Sequence, residues 1–274
     1  MTPQFLDAAV AVDTFVAPGM TLGIGGMHMT SAPMALVGEL VRRRVSIGRL
    51  VTSPSASLQA ELPIAAGLVG EVLSPYIGFE DLGLAPAFRR AVEQGSLRVM
   101  ECDEGSLTHA LYAGAGGLGF IPCPPGVADT DIPRVNPDWY QTTTDPFTGD
   151  QVVVVPALRP DVVLLACAEA DVEGNVAFGR FPFTDRLLAL AAYTLVVQVE
   201  RVVPVEALTS KAPGETIPSF LVAAVVEAPG GCAPTGSPGF YDRDVEALRA
   251  YLAAAKEPER LTSYIDANWS RVAA

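Results

Sequence analysis

Three glycines, Gly23, Gly25 and Gly26, fall between an apolar run and a Pro33-Met34 pair in the segment Met20-Thr-Leu-Gly-Ile-Gly-Gly-Met-His-Met-Thr-Ser-Ala-Pro-Met34. A strand that runs into a glycine turn and then a helix N-terminus lets a ligand approach the main chain, and N–H groups there can face developing negative charge. Gly25 and Gly26 are therefore candidate catalytic oxyanion donors. Gly23, Met27, His28 and Ser31 are candidate substrate contacts. The plain alternative is a tight strand-to-helix turn with no ligand. A dinucleotide site is a poor fit, because the spacing is not GxGxxG and the next predicted strand ends in Ser53-Pro54, with no carboxylate for a ribose. No GxxxxGK(S/T) phosphate loop is present.

A second candidate lies in Cys102-Asp-Glu-Gly-Ser-Leu107. Glu104 directly follows a predicted strand and opens a predicted helix, and open α/β sheets place ligands at the carboxyl ends of their strands. A catalytic acid/base role there competes with a structural one, in which a first-turn carboxylate beside a capping Asp103 complements the helix dipole for ~0.3–1 kcal/mol. Glu173, in Ala170-Asp-Val-Glu-Gly-Asn175, reads as a turn residue, and His109, inside a predicted helix, as a packed or surface histidine. Cys102 has no histidine at motif spacing and reads as a small buried residue.

The elements that must position these groups alternate along the chain. Apolar and helical periodicity predict helices over Gln4–Val16, Pro33–Arg44 (capped by Thr30 or Ser31), Leu58–Ala66, Ala85–Gln94 and Glu104–Ala113. Strands are predicted over Met20–Gly25, Arg49–Ser53, Val69–Ile77 and Leu97–Cys102. Residues 122–149 carry prolines and little periodicity and predict a long functional or interfacial loop, a pliable lobe of the domain. Beyond it the strands are Val152–Val155, Val162–Ala168, Leu195–Val203 and Ser219–Glu227, with helices over Thr184–Ala192, Asp242–Ala255 and Pro258–Asn268. Such alternation implies right-handed βαβ crossovers and an α/β fold: an open, largely parallel sheet with helices on both faces, in one domain spanning 1–274.

Composition narrows the function classes. Eighteen basic against 31 acidic residues give a net charge of −13, which repels nucleic acid and anionic membranes. Four scattered cysteines form no CxxC pair and only two histidines are present, so neither a disulfide framework nor a metal site is expected. No leader-like series opens the chain, and the longest apolar stretch falls short of the ~20 residues of a spanning helix. The expected compartment is the cytoplasm. Half of the residues are hydrophobic, which points to a large core or a buried subunit interface.

Several motifs resemble the A (α) subunit of the class I CoA-transferases, most of all the glutaconate CoA-transferase type. Gly23-Ile-Gly-Gly26 with Pro33-Met-Ala35 resembles the family's oxyanion loop and following helix, and Pro86-Ala-Phe-Arg-Arg-Ala-Val-Glu-Gln-Gly95 its Phe-Arg-Arg helix. Asp145-Pro-Phe-Thr-Gly149, Val153-Val-Val-Pro-Ala-Leu-Arg-Pro-Asp161 and Ala170-Asp-Val-Glu-Gly-Asn175 resemble its second half. The resemblance implies a heteromer, A2B2, in which a glutamate of the B subunit is the nucleophile and the α subunit supplies oxyanion donors and part of the acyl pocket. It also implies a glutaconyl-type, dicarboxylic acyl-CoA substrate, with coenzyme A entering only as part of that substrate and no permanent cofactor. Two departures stand out. Ser31-Ala32 occupies the place where glutaconate-type relatives carry basic residues. Cys102-Asp-Glu-Gly-Ser-Leu107 and Val226-Glu-Ala-Pro-Gly-Gly231 resemble the steroid-ring-opening CoA hydrolases, where an acid in the position matching Glu104 serves catalysis. Other homologues decarboxylate 3-methylglutaconyl-CoA. A non-catalytic small-molecule sensor is the alternative from a different class.

Overall fold

Two ten-residue segments, Val162–Asp171 and Thr194–Val203, are buried along most of their length, the pattern of parallel strands covered on both faces. They anchor the sheet in the computed structural model, which describes residues 2–269. In chain order its strands are β1 (Gln4–Phe5), β2 (Thr21–Ile24), β3 (Ile47–Thr52), β4 (Ser55–Ala56), β5 (Val69–Leu73), β6 (Tyr76–Ile77), β7 (Arg98–Met100) and β8 (Phe120–Pro122). They continue as β9 (Gln141–Thr144), β10 (Gln151–Pro156), β11 (Val162–Asp171), β12 (Val176–Ala177), β13 (Thr194–Val203), β14 (Thr216–Ile217) and β15 (Ala224–Glu227). The helices are α1 (Ala8–Phe15), α2 (Met34–Arg42), α3 (Leu58–Ala65), α4 (Pro86–Glu93), α5 (Glu104–Ala115), α6 (Ile132–Val135), α7 (Asp185–Ala191), α8 (Val245–Ala255) and α9 (Pro258–Trp269).

The main sheet runs β1-β15-β13-β11-β2-β3-β5-β7, and every neighbouring pair along it is parallel. Alternate side chains feed two cores, as the strand period of two requires. Val162 and Leu164 of β11 join Leu22 and Ile24 of β2 on the face covered by α1, α2, α3 and α8. Val163, Leu165 and Cys167 join Leu188 of α7 and Leu107 of α5 on the other face. The chain thus forms the expected open α/β sheet. From β2 it proceeds outward through β3, β5 and β7, then returns to β11 and proceeds the opposite way. The carboxyl ends of β2 and β11 therefore flank a topological switch point, where open α/β sheets leave a crevice for ligands.

The differences from the sequence expectation are local. The first helix begins at Ala8, not Gln4, because Gln4 and Phe5 pair with Ala224 and Val225 of β15. The Val69–Ile77 strand is two strands, β5 and β6, with β6 paired to β4 off the main sheet. Ser219–Leu221 is a 3₁₀ turn, so the last strand starts only at Ala224. The proline-rich 122–149 segment is not featureless: it carries α6 and β9, and β9 and β8 both pair antiparallel with β10 in a small second sheet. No helix among the described residues is long and apolar enough to cross a membrane.

Candidate active site at the switch point

The glycine turn leaves β2 at the switch point. Gly23 lies inside β2 rather than in the turn, and the Gly25 N–H continues the ladder to the carbonyl of Leu164, 3.0 Å away. A Cβ on Gly25 would stand 2.2 Å from Leu165 Cδ2. Gly26 has φ +91°, and a Cβ there would meet the backbone of Ser31 and Ala32 at 2.7–2.9 Å. The chain then folds on itself, with Met27 and Thr30 exchanging main-chain hydrogen bonds of 3.1 and 3.2 Å. His28 and Ser31 both sit in the left-handed region, at φ 55° and 53°.

Beneath this turn lies a carboxylate that the sequence reading did not single out. Asp185, the first residue of α7, is fully buried. It accepts the Gly26 N–H, 3.1 Å from both carboxylate oxygens, the Ser53 hydroxyl at the end of β3, and Nη2 of Arg180 at 2.8 Å. Burial pushes its carboxyl above the usual carboxylate range, while the Arg180 charge and the hydrogen bonds pull it back. Arg180 in turn donates from Nε to Ser31 Oγ at 3.1 Å and lies over the Phe183 ring. A cation thus reaches Ser31 from another segment.

The N–H groups of Gly25 and Gly26, the candidate oxyanion donors, each have an acceptor inside the chain in this geometry. One expectation is corrected. Neither Thr30 nor Ser31 caps α2. The helix starts at Met34 with Pro33 at its cap position, and Gln198 Oε1 accepts the N–H groups of Ala35 and Leu36 instead.

His28 points to the opposite side of the turn. Its Nδ1 is 2.8 Å from Glu80 Oε1, which also accepts from Ser55 Oγ at 2.7 Å. Those two hydrogen bonds hold the Glu80 carboxyl below its ordinary range. A cleft of about 490 Å³ opens there, walled by His28, Met29, Thr30, Pro238, Tyr241 and Arg243. Gly236 closes its base by bonding Met29 O and Ser31 N–H. Arg243 is paired with Asp81 at 2.9 Å.

Glu104 stands apart from the turn, on the same edge. α5 and α7 pack together, and both start at the carboxyl edge of the sheet, which puts their axes about 8–10 Å apart. The cap of α5 is Asp103, whose carboxylate accepts the Ser106 N–H at 2.9 Å. Glu104 is exposed and, among the described residues, makes no hydrogen bond or ion pair. The capping work is done next door and this carboxylate remains uncommitted. His109 bonds Pro122 O at 2.8 Å, as a packing histidine would, and Cys102 is buried with its thiol pushed well above the usual range. No group of three or more His, Cys, Asp or Glu among the described residues could hold a metal ion.

Comparison with known proteins gives these features a family context. The family profile described as coenzyme A transferase matches residues 5–228. The chain is 32% identical to the A component of 3-oxoadipate CoA-transferase from Pseudomonas knackmussii, over 96% of this chain and 92% of that one. It is 33% identical to the cholesterol ring-cleaving hydrolase IpdA subunit of Rhodococcus jostii, over 94% and 90%. Among solved structures, a variant of the decarboxylase AibA/AibB superposes with a TM-score of 0.84 at 35% identity, covering 96% of this chain and 98% of that one. Glutaconate coenzyme A-transferase from Acidaminococcus fermentans superposes with a TM-score of 0.87 at 24% identity, over 96% and 88%, a likeness of fold.

Proposed function

Given that the chain belongs to the coenzyme A transferase family, where it corresponds to the α subunit, we propose that it acts on a glutaconyl-type acyl-CoA thioester in a reaction that moves a proton: hydrolysis or decarboxylation. Glu104 is the α subunit's acid/base group in this reading, and the site is completed by a B subunit in an A2B2 assembly. The relatives are named as parts of two-component enzymes, transferases and non-transferring hydrolases or decarboxylases alike. Coenzyme A enters as part of the substrate.

The uncommitted carboxylate of Glu104 carries the choice of reaction. Transfer of CoA between two carboxylates runs through a covalent intermediate on a carboxylate nucleophile, releases a thiolate and recaptures it, and needs no net proton transfer. Hydrolysis must deprotonate a water and protonate a thiolate, and decarboxylation must protonate the carbon of a dienolate. A free carboxylate at the carboxyl edge of the sheet supplies what those two reactions need. Simple transfer is the second reading, favoured by the similarity to 3-oxoadipate CoA-transferase.

Product analysis of the chain reconstituted with its B subunit separates them. With glutaconyl-CoA or 3-methylglutaconyl-CoA, the proposal expects release of free CoA or CO₂ at a rate indifferent to added acetate. Consumption that depends on acetate and yields acetyl-CoA would establish transfer instead. Light scattering of this chain with and without its partner tests the assembly, and a stable, active monomer would refute it.

A further inference from the structure

We propose that Asp185 is a positioning residue for the acyl-CoA site, a buried latch that holds the 26–31 turn in its working shape through Gly26, Ser53 and Arg180. The inference rests on the reading of the switch point as that site.

A carboxylate with no solvent exposure must be compensated by hydrogen bonds and opposite charge, or it would not be retained there. At the start of α7 the obvious donors would be that helix's own N–H groups. Among the described residues, Asp185 bonds none of them. Its three donors come from three other places: the turn after β2, the end of β3, and the segment before α7. The group therefore ties separate strands together across the crevice.

The turn needs such a tie. His28 and Ser31 occupy left-handed conformations that β-substituted residues avoid, and these persist only where the surroundings over-determine them. Ser31 is held twice, by its N–H donating to Gly236 O at 2.7 Å and by its hydroxyl oxygen accepting from Arg180 Nε at 3.1 Å. Arg180 stays mostly buried, with only 11% of its side chain exposed, because Asp185 is its counter-ion. Without that charge the guanidinium gains by swinging out to water. Ser31 would then lose a partner, and Gly26 would keep only a weaker, neutral acceptor. Asp185 touches no reacting atom in this scheme and acts wholly through the turn, where a misplacement of about 1 Å can reduce a rate about 100-fold.

The test uses Asp185→Asn, Arg180→Lys and Ser53→Ala in the full complex with the B subunit, with rates expressed per folded complex and amide exchange followed in parallel. Asp185→Asn is expected to lower kcat/KM about 10- to 100-fold, with amide exchange across residues 25–31 accelerated and protection in α5 unchanged. Arg180→Lys keeps the charge but loses the fork to Ser31, so it should raise KM more than it lowers kcat. If Asp185→Asn fails to fold, Ser53→Ala removes a single donor and reads the same two quantities. Unchanged exchange over 25–31 in all folded variants would overturn the latch. So would faster exchange with unchanged kinetic constants. A wild-type complex inactive on every thioester would refute the functional reading alone, since exchange still decides whether Asp185 holds the turn.

Discussion

The two ends of the candidate site are built in opposite ways. At the glycine turn the polar groups are satisfied within the chain: Gly25 by Leu164, Gly26 by Asp185, Ser31 by Arg180 and Gly236. At the start of α5 the cap is satisfied by Asp103, and the adjacent Glu104 is exposed and unbonded among the described residues. One end is internally satisfied and the other presents an uncommitted carboxylate. That difference is what a subunit would show if it supplied shape and one acid/base group to a site completed by a partner.

Substitutions should expose the contrast, the largest effect first. Asp185→Ala strips Arg180 of its buried counter-ion and should lose about 3–5 kcal/mol in denaturant titrations. Glu104→Ala in the same assay should stay within about 0.5 kcal/mol. Equal losses would erase the distinction between the two ends. Gly26→Ala forces a Cβ against the Ser31 backbone at φ +91°, and should lose about 1–3 kcal/mol. Gly119→Ala is the control, because a Cβ there meets nothing within 4 Å. Asp103→Ala should lose about 1 kcal/mol, since the cap of α5 is Asp103 and not Glu104; a comparable loss from Glu104→Ala would reverse that assignment.

The smallest effect is one of slope and concerns a fourth carboxylate, Glu61, buried in α3. Glu61 accepts the N–H groups of Ala87 and Phe88 at 2.7 and 2.9 Å, and burial pushes its pKa up to about 7 from 4.5. Because the folded value is the higher one, the protonated side chain's advantage is complete below pH 4.5 and is lost as pH rises through about 7. Glu61→Gln should flatten that part of the stability profile in urea titrations. An unchanged slope would show that Glu61 does not titrate there.

The sheet was legible because its signals are local and repeated. β11 and β13 read as continuous apolar runs, and the glycines after β2 and the Asp-Glu-Gly after β7 fall where strands end. What escaped detection depends on partners far apart in sequence. Nothing near Gln4 announces its pairing with Ala224, so two strand residues read as the start of a helix. Asp185 looks like an ordinary first-turn acid of α7, and its role appears only when the fold brings Gly26, Ser53 and Arg180 to it. The same folding gave the Gly25 and Gly26 N–H groups acceptors within the chain, which their local sequence does not announce. Glu104 was legible as a candidate, but its freedom from capping follows only from the Asp103–Ser106 bond.

The most direct measurement is the kinetics of Glu104→Gln in the complex with the B subunit, on 3-methylglutaconyl-CoA and on glutaconyl-CoA with and without acetate. The amide keeps size and hydrogen bonding and removes the charge. An acid/base role predicts a rate lower by roughly 10²–10⁴-fold, with the thermal midpoint unchanged and any acetate-dependent transfer spared. Wild-type rates on whichever thioester the complex consumes would contradict it.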